Sequence, residues 1–212
     1  GISEPVQASY NRHALNPVYK IEDFWRIYPA YINMAHPSLY VTGRAGDVHN
    51  TIRGNHKLLK NKQIIPWLTA GAYGIFEPYK IEQMVLEALL NGAGGVTYYA
   101  YNHFVDSPLY FYYHAKALAQ IRPHEDLIAD GEVLEPTGSN EEFLYSGVKK
   151  DGEMILLVGN YFNAPEKTTV KLPFLKVKTI TDLRSGKKVG GDSNFAFEVP
   201  KGDIRLFHIT AE

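Results

Sequence analysis

The sequence predicts an α/β domain followed by an all-β domain that folds as an antiparallel β-sandwich. Two observations lead to this fold class. Up to about residue 130, short β-like runs alternate with stretches of helical periodicity, whereas beyond it only short alternating strands and turn dipeptides occur. The polar run 136–142 accompanies the change. We therefore predict two domains, residues 1–130 and 131–212.

Four stretches of the first domain have helical periodicity. The clearest begins at Pro78, which suits the first turn of a helix, and its apolar stripe stops at the glycine-rich run 91–95. Asp47 stands where the N-cap of another helix is expected. The predicted helices cover 21–35, 48–60, 78–90 and 107–121.

Short β-like runs separate these helices. The middle run is apolar on both faces, as expected for a parallel sheet covered by helices, although Pro66 within it removes one ladder hydrogen bond. Regular alternation of strand and helix implies parallel strands joined by right-handed crossovers. The predicted strands cover 38–42, 63–69 and 96–101.

The second domain contains only short strands separated by turns. The run Lys149–Gly152 between two of them predicts a hairpin turn. Six or seven short strands at this spacing are typical of a small antiparallel sandwich. The strands are predicted at 144–148, 154–161, 167–172, 176–183, 195–199 and 204–209.

Charge and composition exclude several classes of partner. Lysine and arginine (22) balance aspartate and glutamate (23), so no excess charge attracts nucleic acid or an anionic membrane. No apolar run reaches the about 18 residues that span a bilayer. The chain opens at Gly1 without a signal-peptide pattern or a methionine, which favours a processed product or a fragment. The absence of cysteine leaves the compartment open.

Several short motifs resemble the glycoside hydrolases. Those in the first domain look like strands seven and eight of a (β/α)8 barrel: IIPWLTAG at 64–71, NGAGGVTYY at 91–99 and the helix that ends at Arg122-Pro123. Those in the second are similar to the sandwich that follows many such barrels: LLVGNY at 156–161, ITDLRSGK at 180–187 and IRLF at 204–207. The resemblance implies a partial (β/α)8 barrel followed by a β-sandwich. Its motifs are architectural and identify no single family.

The barrel-like part is too short to close. A complete barrel takes about 250 residues, roughly twice what the first domain supplies. An open half-barrel would leave unpaired strand edges and exposed apolar faces. We therefore expect the N-terminal half of the barrel on another chain, or further copies of this chain, as the partner.

Two acids follow the predicted strands closely enough to take part in catalysis. Barrel enzymes carry their reacting groups at the carboxyl ends of the strands, and glycosidic bond cleavage commonly uses two facing carboxyl groups. Glu77 and Asp106 are the candidates. Each has a structural alternative: Glu77 is favoured by the dipole of the helix that follows it, and Asp106 suits the N-cap of the helix that starts at Pro108.

Aromatic and polar residues at the same strand ends are candidates for saccharide binding. An aromatic ring stacks on the C–H face of a sugar, and polar side chains bind its hydroxyl groups. Alternating residues of a strand cannot all face inward, so we expect at most two of the rings to touch ligand. The high tyrosine content (15) also fits packing. The candidates are Trp67, Tyr73, Tyr99 and Tyr101 for stacking, and Arg44, Asn102 and His103 for hydroxyl groups.

The sequence predicts no metal and no cofactor. The histidines are scattered, and Asp47 with His49, or His103 with Asp106, are pairs without a third ligand. No phosphate-binding loop motif occurs. The sequence therefore indicates the C-terminal part of a glycoside hydrolase that needs its N-terminal half for acid/base catalysis. The alternative is a non-catalytic structural, storage or carbohydrate-binding protein derived from the same scaffold.

Overall fold

The computed structural model describes residues 7–11, 33–40, 42–59, 63–70, 77–99, 108–162 and 164–212. The chain divides into two compact units, residues 1–114 and 115–212. The domain boundary predicted after residue 130 stays a prediction. No helix within the described residues is both long enough and apolar enough to cross a membrane.

The first unit contains a parallel sheet. The strand order is β1-β2-β4-β5, and β3 also pairs with β2. Every pair is parallel, as the alternation of strands and helices predicted. The strands are β1 (Gln7–Asn11), β2 (Met34–Ser38), β3 (Gln63–Ile64), β4 (Trp67–Thr69) and β5 (Thr97–Tyr99).

Three long helices follow strands of this sheet. They are α1 (Ala45–Leu58), α2 (Lys80–Leu90) and α3 (Pro108–Ile121). Helix α1 buries Val48 and Ile52, which lie one turn apart, as an amphipathic helix requires. Helix α2 is buried at nearly every position, and it ends before Gly92, whose φ of 100° is a left-handed conformation that suits glycine.

Several boundaries differ from the sequence predictions. Strand β2 ends at Ser38, where the predicted strand begins. The prediction was displaced because the run 34–38 contains Pro37 and few of the β-branched and aromatic residues that are typical of a strand. Met34 and Ala35, which were assigned to a helix, belong to this strand, and residues 21–32 of that helix lie outside the described part. Strand β1 was not predicted at all.

Two other corrections concern single residues. Helix α1 begins at Ala45, so the extended Arg44 occupies the N-cap position and Asp47 lies within the first turn. The strand predicted over residues 63–69 is interrupted between Ile64 and Trp67, which is where Pro66 cannot donate a ladder hydrogen bond.

The second unit is mostly antiparallel sheet. A 3₁₀ turn (Arg122–His124) and the short helix α4 (Glu125–Asp130) precede eight strands. Six of the strands form one sheet in the order β11-β10-β13-β8-β7-β6, and β12 pairs with β9 in a second. The strands are β6 (Glu132–Leu134), β7 (Leu144–Lys150), β8 (Glu153–Gly159), β9 (Lys167–Lys171), β10 (Val177–Asp182), β11 (Lys187–Gly190), β12 (Asn194–Glu198) and β13 (Ile204–Ala211).

The two sheets of this unit share one hydrophobic core. Phe207 of the larger sheet meets the rings of Phe195 and Phe197 from the smaller one at centroid distances of 4.9 and 4.8 Å. The predicted hairpin between β7 and β8 turns at Asp151 and Gly152, which have positive φ angles of 46° and 82°.

Candidate functional site

Strands β4 and β5 carry aromatic residues on one face of the sheet: Trp67 begins β4, and Tyr99 ends β5. The parallel register pairs Trp67 with Thr97 and Thr69 with Tyr99, so these four side chains point to the same side. Ser38 pairs with Trp67, and the chain continues from there to Tyr40, two residues further on.

The rings of Tyr40, Trp67 and Tyr99 lie side by side. Tyr40 stacks on Tyr99 with ring centroids 4.5 Å apart and planes inclined by 22°. Trp67 stands 6.4 Å from Tyr99 at 33°. Tyr99 is 37% exposed and Trp67 is partly exposed, so the group is accessible to solvent. We call Tyr40, Trp67 and Tyr99 the aromatic cluster. Tyr40 was not a predicted site residue, because the predicted strand 38–42 placed it in the middle of a strand, whereas β2 ends at Ser38.

The opposite face of the same strands is covered. Leu68 is fully buried, and the Tyr98 hydroxyl lies 2.9 Å from His114 Nδ1 on helix α3. The two rings meet edge to face at 5.4 Å. Burial raises the pKa of Tyr98 and lowers that of His114, so the protonated tyrosine hydroxyl donates a hydrogen bond to Nδ1 of a neutral imidazole. This contact helps to fix which face of β5 carries the aromatic cluster.

Arg44 and Asp47 form a hydrogen-bonded group beyond the end of β2. Arg44 Nε and a terminal guanidinium nitrogen lie 3.0 and 2.9 Å from Asp47 Oδ2, and the Thr42 hydroxyl donates to the same oxygen at 2.7 Å. The Arg44 side chain is largely exposed, so it retains donors for a ligand. Asp47, by contrast, is committed to its neighbours.

Glu77 lies just before helix α2 and forms an ion pair with Lys80 at 2.7 Å. The hydrogen bond from Lys80 lowers the pKa of Glu77 most, followed by a backbone hydrogen bond and then by the charge of the Lys80 ammonium. The carboxyl group is therefore ionised at neutral pH, as expected at a helix N-terminus. Of the two roles in glycosidic bond cleavage, this state suits a base or nucleophile and not a proton donor.

His36 is a buried polar residue that the sequence did not single out. It lies two residues before Ser38 on β2, so the two side chains point to the same face of the sheet. Its Nδ1 donates a hydrogen bond to the carbonyl oxygen of Ile65 at 3.0 Å. Its other ring nitrogen is buried without a hydrogen-bond partner among the described residues. Isolated histidines carry no motif, so only the strand register reveals this position.

A buried polar network joins helices α1 and α2. His49 Nδ1 lies 2.9 Å from Glu87 Oε2, and the Asn91 amide donates to the same oxygen at 2.9 Å. Arg53 Nε donates to the amide oxygen of Asn91 at 2.9 Å. Because both His49 and Glu87 are almost completely buried, this network packs the two helices and is closed to ligand.

The remaining predicted site residues lie outside the described part of the chain. Their roles stay predictions: Tyr73 and Tyr101 in stacking, Asn102 and His103 in hydroxyl binding, and Asp106 in catalysis.

Comparison with known proteins identifies relatives of the fold but not of the sequence. No protein-family model and no curated protein matches the chain. An alpha-amylase from Geobacillus thermoleovorans, solved in complex with acarbose, is similar with a TM-score of 0.57 and 9% identity over 96% of this chain and 60% of its own. A maltogenic alpha-amylase from Thermotoga neapolitana gives 0.57 and 10% over 96% and 61%.

A family 30 endoxylanase from Clostridium papyrosolvens is also similar, with a TM-score of 0.55 and 11% identity over 86% of this chain and 50% of its own. The chain thus spans about half to three fifths of the length of these enzymes. At such low identity the likeness concerns the fold alone. The chain has a fold similar to part of a glycoside hydrolase.

Proposed function

We propose that this chain is the C-terminal part of a carbohydrate-active protein of glycoside-hydrolase type, and that its aromatic cluster binds an oligo- or polysaccharide. The observation that carries the proposal is the contact of Tyr40 and Trp67 with Tyr99, which stands at the carboxyl edge of the parallel sheet as the last residue of β5. In barrel enzymes this edge is where substrates bind. The proposed architecture is the closing part of a (β/α)8 barrel, followed by a β-sandwich.

The cluster suits a sugar ring chemically. A pyranose presents C–H groups on its face, which pack on an aromatic ring, and hydroxyl groups at its rim, which need donors and acceptors. Tyr99 supplies the exposed ring, and Tyr40 behind it holds that ring in place. Arg44, Tyr73, Tyr101, Asn102 and His103 are proposed to complete the site.

Catalysis would require two carboxyl groups in different protonation states. The ionised Glu77 is proposed as the base or nucleophile, and Asp106 as its counterpart in this chain. The N-terminal half of the barrel would add further groups. We therefore propose hydrolysis of a glycosidic bond as the activity of the completed barrel.

The surface of helix α3 supports the need for a second half. Leu109, Phe111 and Tyr112 are each more than half exposed, although an apolar helix of a barrel normally packs against its neighbours. The match to this chain covers only 50% and 60% of the length of two enzymes with a similar fold. We propose that the N-terminal part of the barrel, on another chain or on further copies of this one, covers this helix.

Calorimetric titration of the 212-residue chain with soluble xylo- and malto-oligosaccharides tests the binding step. At least one saccharide should bind, and Tyr99→Ala should weaken its binding about tenfold, since one lost stacking contact is worth about 1 kcal/mol. Phe162→Ala is a matched control, because Phe162 is an exposed ring in the second unit. Failure of every saccharide to bind once the N-terminal half is also present, or equal affinity of the Tyr99 variant, would refute the site.

A hydrolysis assay on the completed barrel separates the enzyme from the non-catalytic alternative. That alternative is favoured by one observation: Asp47 and Glu77, the acids described near the strand ends, both pair with cations. An enzyme that uses the proposed acids loses activity on Glu77→Gln and Asp106→Asn and keeps saccharide binding. Binding without detectable hydrolysis in the unmodified protein would identify a carbohydrate-binding protein.

A further inference from the structure

Three potential metal ligands from separate segments of the second unit meet at one point. His124 ends the 3₁₀ turn before α4, Glu153 is the first residue of β8, and His208 lies within β13. The antiparallel register pairs Glu153 with Thr210, two residues after His208. Glu153 and His208 are therefore diagonal neighbours on the same face of the sheet.

The ligand atoms are close enough to share one ion. The nitrogen and oxygen atoms that the three side chains offer all lie within 4.8 Å of one another. His208 Nε2 is 2.9 Å from Glu153 Oε2, and the rings of His124 and His208 have centroids 4.1 Å apart. Tetrahedral zinc holds its nitrogen and oxygen ligands about 3.3 Å apart, so modest side-chain rotations would bring these atoms around it.

We propose that His124, Glu153 and His208 form a binding site for a divalent transition-metal ion such as Zn²⁺. Two imidazoles and one carboxylate are a ligand set that zinc accepts, whereas Mg²⁺ and Ca²⁺ prefer sites made of oxygen alone. The Glu153 side chain is 50% exposed and that of His208 17%, so water can reach the ion as a fourth ligand. Sequence reasoning missed the set because its members are far apart in the chain.

The competing explanation is an ordinary cross-strand hydrogen bond between His208 and Glu153 with a second ring packed beside it, which needs no ion.

Calorimetric titration of the full chain, prepared without a histidine tag, distinguishes the two. We expect one Zn²⁺ site and no binding of Mg²⁺. His208→Gln should weaken zinc binding about 100-fold, and His124→Gln similarly, since each loses a ligand. His56→Gln is the matched control: His56 is an exposed histidine in the first unit, so zinc affinity should stay within about twofold.

The thermal midpoint gives a second readout that does not depend on activity. Zinc should raise the Tm of the unmodified chain and of the His56 variant, and it should leave the Tm of the His208 variant unchanged. Should either histidine variant fail to fold by circular dichroism, Glu153→Gln decides, because this half-exposed residue begins its strand. Absence of zinc binding, or zinc affinity that survives all three substitutions, would leave only a cross-strand pair and overturn the proposal.

Discussion

Helix α2 buries polar residues, whereas helix α3 exposes large apolar ones. Helix α2 contains Glu82, Gln83 and Glu87, and yet all three are buried. Helix α3 is rich in large apolar residues, but Ala117 and Ile121 are its buried positions. A helix normally buries its apolar face and exposes its polar one.

The difference separates an enclosed helix from one with an exposed apolar surface. Helix α2 is enclosed, and its buried acid Glu87 is satisfied by His49 and Asn91. Helix α3 exposes Phe111 by 61% and Leu109 by 55%, a surface that neighbouring helices of a closed barrel would cover. The contrast makes three expectations testable.

Removal of the Glu87 carboxylate should give the largest effect. Glu87→Ala leaves the buried His49 and Asn91 without their shared acceptor, so we expect a loss of about 3 to 5 kcal/mol in the free energy of unfolding. Urea denaturation followed by tryptophan fluorescence measures this directly, because Trp25 and Trp67 both belong to the first unit.

The exposed Glu142 supplies the control for that substitution. Glu142→Ala should change the free energy of unfolding by less than about 0.5 kcal/mol. If Glu87→Ala were equally mild, the network would be loosely packed, and the enclosed character of α2 would be wrong.

Two substitutions within α3 test the open side of the comparison. Ile121→Ala removes a buried side chain and should cost about 2 to 4 kcal/mol, whereas Leu109→Ala should cost less than about 0.5 kcal/mol. Urea denaturation followed by far-ultraviolet circular dichroism reports both. A similar loss from both variants would mean that Leu109 is already covered in the isolated chain, for example by self-association.

The order of strands and helices between residue 63 and the end of α3 could be predicted because the signals there are local, whereas α4, β6 and β11 were not predicted. Pro78 opens α2 and the run of glycines after Asn91 ends it, and β-branched and aromatic residues mark β5. The prediction misplaced strand β2 because Pro37 is atypical of a strand, and because its pairing with β1 depends on residues distant in the sequence. Pairing between strands far apart in sequence leaves no local mark.

Some residues of the candidate site could likewise be predicted from local sequence signals, and others could not. Trp67 and Tyr99 could be proposed from their position at strand ends, but Tyr40 joins them only through the register of three strands. Likewise, no motif connects His49 to Glu87, since the contact arises from packing of one helix on another. Periodicity identifies which face of an element is apolar, and it does not tell which polar residues are enclosed by that packing.

The smallest expected effect concerns pH and the contact that anchors α3 to β5. Burial lowers the pKa of His114 below its usual 6.5, so the unfolded chain binds a proton more readily than the folded one. Its contribution to stability is therefore complete above pH 6.5 and is lost as the pH falls from there towards the folded-state pKa. Protonation also removes the acceptor for the Tyr98 hydroxyl.

His114→Gln tests this contribution, because glutamine can accept the same hydrogen bond and does not titrate. Urea denaturation should be followed at several values between about pH 7.5 and about pH 5.5, one unit on either side of the usual histidine pKa. The variant should lose less stability over this range than the unmodified chain. Desolvation also lowers the pKa values of His56 and His124, so these residues contribute to the pH dependence of both proteins. Parallel pH profiles would show that His114 is solvated in the folded chain, and α3 would then be held to β5 by the ring contact alone.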